Sequence, residues 1–199
     1  MARYTGPLRK KMKALGMAAP ERAKGRGPQQ RAPRRRQSQY GLQLQEKQKA
    51  RLLYGVLERQ FSNYYREAAR RTGVTGDNLI QLLESRLDNV VYRLGFAGTR
   101  PQARQIVTHG HIRVDGKKIN IPSYQVQPGQ KVTWKEKSRG SGLFQVVSAN
   151  TGMGKGTQVP SWLRVSPDEA TGEMASKPNA MEGEPGIDTR QIVEYYSRR

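Results

Sequence analysis

Between Arg86 and Trp134 the spacing of apolar residues changes from the period of a helix to the period of a strand, and this change limits the fold more than any other feature. Leu87, Val90, Val91 and Leu94 fall three or four apart, on one helical face. Gly95 is the expected stop. A second helix opens at Thr99, whose hydroxyl is placed to cap it, with Pro101 tolerated in the first turn. Ala103, Ile106 and Val107 are its buried candidates and Gly110 its end. From His111 the period is two: Ile112 and Val114 alternate with polar residues, and Asp115-Gly116 is a hairpin turn leading to Lys117, Lys118 and Ile119. Pro128-Gly129 marks a further turn before Val132 and Trp134. Two short helices joined by short connections to a small sheet give an α+β class.

The polar residues of this stretch bear on its use. Arg100 and Arg104 lie one helical turn apart, away from the Ala103–Ile106–Val107 face. His109 and His111 flank the joint between helix and strand, and Arg113, Lys117 and Lys118 follow on the hairpin. A hairpin folded back on the helix would gather these charges on one surface, the footprint expected for a phosphate backbone; A-form RNA is read largely by shape and phosphate contacts. An isolated basic patch is more often plain solvated surface. The whole chain shifts that balance: a formal charge of +20 and a pI near 10.7 favour a polyanionic partner. No run is long and apolar enough to span a bilayer and the N-terminus lacks a signal-type apolar core, so a membrane or secreted role has little support. Cysteine is absent, which removes disulfides, thiolate metal sites and cysteine nucleophiles together.

Around this centre the chain divides further. Residues 1–41 read as a basic arm; its first 40 residues hold 12 Lys and Arg against one acid, Glu21. Too few apolar residues are present for a core, so the arm is expected to order against nucleic acid, through Arg3, Arg9, Lys10, Lys11 and the run Arg34-Arg35-Arg36. Tyr4 and Tyr40 either stack on a base or pack on a helix. Residues 42–85 read as the first part of a helical lobe. Leu44, Leu52 and Leu53 supply one apolar side, with Lys47, Lys49 and Arg51 around it. After Gly55, Leu57, Phe61, Tyr64, Tyr65 and Ala68 form a second stripe with Arg59, Arg66 and Arg70 outside. Thr75 is the expected cap of a third helix, helped by Asp77. The stripe Leu79, Leu82, Leu83, Leu87, Val90, Leu94 predicts that this helix continues unbroken into the 86–150 module as a rigid joint.

Beyond Lys135 the signals weaken. Leu143–Val147 is a short apolar run in Gly/Ser-rich surroundings, and residues 167–188 read as a polar, acidic connector. Gly152–Thr157 (GMGKGT) lacks the glycine that a phosphate loop places four residues before Gly-Lys-Ser/Thr, so nucleotide binding is not expected. Residues 150–199 hold six basic and seven acidic groups, so the positive field lies in the first three-quarters. No Ser/His/Asp or metal-ligand constellation is visible.

The run RLDNVVYRLGFA…TRPQARQIVTHGHIRVDGKKINIPSY closely resembles the small RNA-binding module named after ribosomal protein four of the small subunit. That module also occurs in pseudouridine synthases, a tyrosyl-tRNA synthetase tail and heat-shock ribosome-rescue factors. The flanks MARYTGP, YGLQLQEKQKARLLYGVLERQF, Pro160-Ser161-Trp162-Leu163 and QIVEYYSRR resemble the bacterial ribosomal protein four family itself, and the resemblance spans most of the chain. A module-borrowing enzyme would need a catalytic domain for which the other segments hold too little apolar sequence. The resemblance implies two lobes: a helical lobe built from both chain ends, with the module inserted and residues 151–199 serving as connector and C-terminal return. It implies a structural, non-enzymatic constituent of the small ribosomal subunit in the cytoplasm, without a cofactor. Such a protein binds the 5′ domain of small-subunit ribosomal RNA early, nucleates its assembly and contributes to translational accuracy. The implied partners are that RNA, ribosomal protein five, and mRNA near the channel through which it enters. The phosphate contacts expected are the arm residues above, Lys47, Lys49, Arg51, Arg59, Arg66, Arg100, Arg104, Lys117 and Lys118, with His109, His111 and Tyr124. For the two histidines, bridging the helix–hairpin joint is an equal alternative. Many family members carry an N-terminal zinc-binding cysteine cluster; this chain has no cysteine, so metal binding does not carry over, and its arm is shorter than the family usually shows.

Overall fold

The computed structural model describes residues 6–17, 38–151, 159–166 and 170–198. In chain order these form helices α1 (Leu8–Ala14), α2 (Gln39–Leu53), α3 (Glu58–Arg70), α4 (Thr75–Glu84), α5 (Leu87–Arg93) and α6 (Arg100–Thr108). Strands β1 (Ile112–Val114), β2 (Lys117–Lys118) and β3 (Lys131–Trp134) follow, then α7 (Glu136–Arg139), α8 (Gly142–Thr151), β4 (Leu163–Ser166), β5 (Thr171–Met174), a 3₁₀ turn (Ala180–Glu182) and α9 (Thr189–Ser197). Helices and an antiparallel sheet make the class α+β. The chain divides into two compact units, one holding residues up to Tyr65 with those from Glu184 onward, the other Arg66–Gly183.

In the first unit α9 packs against α2. Ser38 caps α2 by accepting a hydrogen bond from the Gly41 amide at 3.2 Å, and Asp188 caps α9 at the Arg190 and Gln191 amides. Each cap satisfies donors that a helix start leaves open. The buried side of α2 differs from expectation. Gln43, Lys47 and Ala50 are enclosed, whereas Leu44, Leu52 and Leu53 are only half-buried. The reason lies in distant polar partners: Gln43 donates to Glu194 at 2.8 Å and Lys47 donates to Glu58 at 2.9 Å. Within the stretch expected to order only against nucleic acid, Leu8–Ala14 is helical, and the Gln45 side chain donates to the Leu15 carbonyl at 3.0 Å.

In the second unit the five strands lie in the order β2-β1-β3-β5-β4, antiparallel throughout. Asp115 and Gly116 both adopt positive φ, 48° and 76°, the combination required by a two-residue hairpin turn. Ile112, Val114, Val132, Trp134, Leu163 and Met174 face a core completed by Leu87, Val90, Val91 and Leu94 of the α5 segment and by Ala103, Ile106 and Val107 of α6. Phe144 of α8 sets its ring edge-on to Trp134 at 5.2 Å.

Three expectations are corrected here. Thr75 is the first residue of α4 and not its cap; the capping position is Val74, which offers no side-chain acceptor. The long helix is broken at Arg86, which turns to extended backbone and bridges to Gln125. The amides of Leu87 and Val126 then bond to the Tyr124 and Ser85 carbonyls, at 2.8 and 2.9 Å. Finally, the supposed connector supplies β5, which pairs β3 on one side and β4 on the other.

Strand β5 comes close to the helices at Gly172, where an added Cβ would overlap the Leu94 side chain. Crowding a packed core in this way costs about 1–3 kcal/mol. Gly172→Ala should therefore lower the urea midpoint while leaving the slope of the unfolding curve unchanged.

Candidate nucleic-acid interface

The basic surface of the second unit starts at α6. The Thr99 hydroxyl accepts a hydrogen bond from the Gln102 amide at 3.3 Å, and Pro101 sits in the first turn. Ala103, Ile106 and Val107 hold the inner face, which leaves Arg100 and Arg104 on the outside. Neither is fully extended into solvent. Arg100 donates through Nε to the Asn89 side-chain oxygen at 2.8 Å and stacks its guanidinium over Tyr92, 4.5 Å from the ring centroid. Arg104 lies 3.8 Å from the Asp88 carboxylate.

Beneath these two arginines is a buried layer of charge. Arg86 is fully enclosed and grips Asp88 with two hydrogen bonds, 3.0 and 2.6 Å. Glu84, also fully enclosed, accepts two from Arg93, at 3.0 and 2.8 Å, and one from Asn89 at 2.6 Å. Burial of a carboxylate is tolerable only when it is paired and its lone pairs are satisfied. Arg86 and Arg93 thus hold the two buried carboxylates in place, and Arg100 and Arg104 sit over this layer, Arg104 reaching Asp88 as well.

At the C-terminal end of α6 the hairpin folds back on the helix: Lys118 passes so close to Gly110 that any side chain there would collide with it. Lys118 stands directly opposite Arg113 across the β1–β2 pair, and Lys117 is exposed beside them. Like charges facing each other across strands repel and favour a bound anion. His109 is exposed, 6.2 Å from His111 between ring centroids. His111 is half-buried, with Nδ1 3.0 Å from the Ser138 hydroxyl. Burial, then the nearby His109 and Lys135 charges, hold its pKa below the usual histidine range. That geometry joins strand to helix α7. Tyr124 is half-buried, its hydroxyl accepting from Gln130 at 3.1 Å and its carbonyl holding the Leu87 amide.

The other expected contacts fare differently. Lys47 is a correction: with 3% of its side chain exposed, it is bonded to Glu58 and lies over the Tyr195 ring, 4.3 Å from the centroid, so its charge is spent inside the protein. Arg51 reaches the same carboxylate at 2.8 Å, and Lys49 pairs with Glu46 at 3.2 Å. Burial raises the Glu58 pKa, but hydrogen bonding to Lys47 and the Lys47 and Arg51 charges outweigh it, so the net shift is downward. On α3, Arg59, Arg66 and Arg70 are exposed along one side. Arg9 and Lys10 are exposed on α1 and Lys11 is half-buried. Arg3, Arg34, Arg35 and Arg36, and the Gly152–Thr157 segment, lie outside the described residues.

Lys47→Met should thus act on stability and not on RNA affinity. Removing a charge-assisted hydrogen bond from a half-exposed partner costs about 1.5–3 kcal/mol, which thermal unfolding detects, while filter binding to RNA stays within about twofold at temperatures where the variant is folded.

Sequence reasoning missed Glu84, Arg86, Asp88, Asn89 and Tyr92 as participants. Asp88 and Asn89 stand between apolar positions of a helix stripe; the only signal was that polar residues on a helix so thoroughly enclosed require partners.

Two family models match the chain. Residues 85–132 match the model of the S4 domain, and residues 3–84 match that of the ribosomal protein S4/S9 N-terminal domain. The chain is 49% identical to small ribosomal subunit protein uS4 of Chloroflexus aurantiacus over 207 aligned positions covering all of both chains. It is 48% identical to that of Akkermansia muciniphila over 206 positions and 47% to that of Geobacillus kaustophilus over 206, again covering both chains fully. With an S4 domain carrying the paired arginines of α6 and relatives matched end to end, the chain belongs to the uS4 family of small ribosomal subunit proteins.

Proposed function

We propose that this protein is a structural constituent of the small ribosomal subunit in the cytoplasm, binding small-subunit ribosomal RNA through the α6–hairpin surface, the outer side of α3 and the basic N-terminal residues. The observation that carries the reading is the pair Arg100 and Arg104, tethered over a layer of buried ion pairs and presented on a family RNA-binding module. In this reading the protein binds the 5′ domain early, nucleates its assembly, and contributes to decoding accuracy through ribosomal protein five and proximity to incoming mRNA. Its role is to neutralise phosphates and release counterions, so binding falls steeply with salt. Cross-linking in assembled subunits tests the protein partner: adducts with ribosomal protein five support it, and their absence under conditions that capture RNA adducts removes it.

Deleting residues 1–36 takes away all 12 basic groups of the arm. Each phosphate contact contributes about 0.7–0.9 to the slope of log K against log salt. The deletion should lower that slope by more than about 2; an unaltered slope would mean that the arm touches no phosphate.

A further inference from the structure

We propose that Asn89 is a positioning residue for RNA recognition, holding the Arg100 guanidinium in a fixed plane. The inference rests on the reading that α6 faces RNA. Asn89 is buried, 1% exposed, and both ends of its amide are used. Its nitrogen donates to the Glu84 carboxylate at 2.6 Å and to the Glu84 carbonyl at 3.2 Å. Those bonds settle which way the amide points and leave its oxygen aimed at Arg100 Nε, 2.8 Å away. Tyr92, one helical turn from Asp88 and next to Arg93, lies under the face of the same guanidinium. One edge and one face of the planar group are thereby fixed.

The choice of an amide has a charge consequence. A carboxylate at position 89 would grip Arg100 as firmly, but it would stand against the buried Glu84 carboxylate, 2.6 Å from the present amide nitrogen, and repel it. Glu84 is itself held by Arg93 at 2.8 Å, so the chain of contacts from Glu84 through Asn89 to Arg100 starts from a fixed point. An arginine ordered before binding loses less side-chain freedom on meeting RNA, and its fork matches phosphate geometry in a way that a flexible ammonium does not.

The test uses the full-length chain and a 5′-domain fragment of small-subunit ribosomal RNA, with affinities measured at fixed salt and thermal melts run alongside. Arg100→Ala should weaken binding about tenfold or more, as expected when a charge-assisted hydrogen bond is removed. Arg100→Lys keeps the charge but cannot be held by Asn89 and Tyr92 in the same way, and should lose most of that affinity. Asn89→Ala should weaken binding in the native background yet change it by less than about twofold when Arg100→Ala is already present, since coupled residues are non-additive. A purely structural Asn89 would give additive losses; a lower melting temperature follows on either reading, since Asn89→Ala removes both hydrogen bonds to Glu84. Additive losses, or native affinity in Arg100→Lys beside a loss in Arg100→Ala, would overturn the proposal while leaving α6 on the RNA. Unchanged affinity in Arg100→Ala would overturn the placement of α6 itself, and the proposal with it. Should Asn89→Ala fail to fold, Tyr92→Leu replaces it in the same cycle with Arg100→Ala, and the same two outcomes decide.

Discussion

Reversing both charges of α6, Arg100→Glu with Arg104→Glu, should reduce affinity for ribosomal RNA by on the order of 10²–10⁴-fold, taking each charge-assisted hydrogen bond to phosphate at about 1.5–3 kcal/mol. The slope of log K against log salt should fall by about two, one for each phosphate no longer neutralised. The fold should survive. Both side chains stand outside the Ala103–Ile106–Val107 face, and Asp88 keeps its two hydrogen bonds from Arg86 when Arg104 is gone. A glutamate at position 104 would face the nearly buried Asp88 across a distance similar to the present 3.8 Å, a repulsion of about 4 kcal/mol at the dielectric near a protein surface, which the flexible side chain lowers by turning outward into water. Circular dichroism melts therefore separate the binding loss from unfolding. Native affinity and slope in the double variant would remove α6 from the interface.

The second large effect concerns stability. Arg86→Met leaves the Asp88 carboxylate, 7% exposed, without the guanidinium that holds it twice. Breaking a buried pair from one side costs about 3–5 kcal/mol, a large share of the roughly 5–15 kcal/mol typical of a domain. Arg104, within 3.8 Å of the same carboxylate oxygen, is positioned to move in, which places the expectation at the lower end and also draws Arg104 away from RNA. Replacing both partners, Arg86→Met with Asp88→Leu, should restore most of the loss, because an uncharged, filled site has no stranded charge. Urea denaturation of the two single variants and the double one checks this; equal stability of Arg86→Met and the native chain would show that the pair carries no weight.

How much was legible in the sequence follows from the range over which each feature is determined. The α5–α6–hairpin unit was readable because its signals are local: an apolar stripe, the Thr99 cap, and the Asp115-Gly116 turn. The break at Arg86 was not, since Leu83, Leu87 and Val90 keep helical spacing straight through it, and the cause is a bridge to Gln125, far along the chain. Strand β5 reads Thr-Gly-Glu-Met, too polar to signal a strand alone; it forms because β3 and β4 offer edges on both sides. At the interface, charge was legible and direction was not. Lys47 and Lys49 look alike in sequence, yet α9 and Glu58 enclose the first, while Glu46 pairs with the second at the helix surface. The role of Asn89 depends on Glu84 below it and Arg100 above it, neither of which a pattern of spacing connects.

Binding of the full-length protein to the 5′-domain fragment of small-subunit ribosomal RNA, across a salt series and against an unrelated structured RNA of equal length, decides whether the protein selects its RNA. The predicted result is tighter binding to the fragment at every salt concentration, a steep slope for both RNAs, and a footprint confined to the fragment that weakens when Arg100 and Arg104 are reversed. Equal affinity for the two RNAs, without a footprint, would contradict selective binding and leave a basic protein that binds phosphate without choosing its RNA.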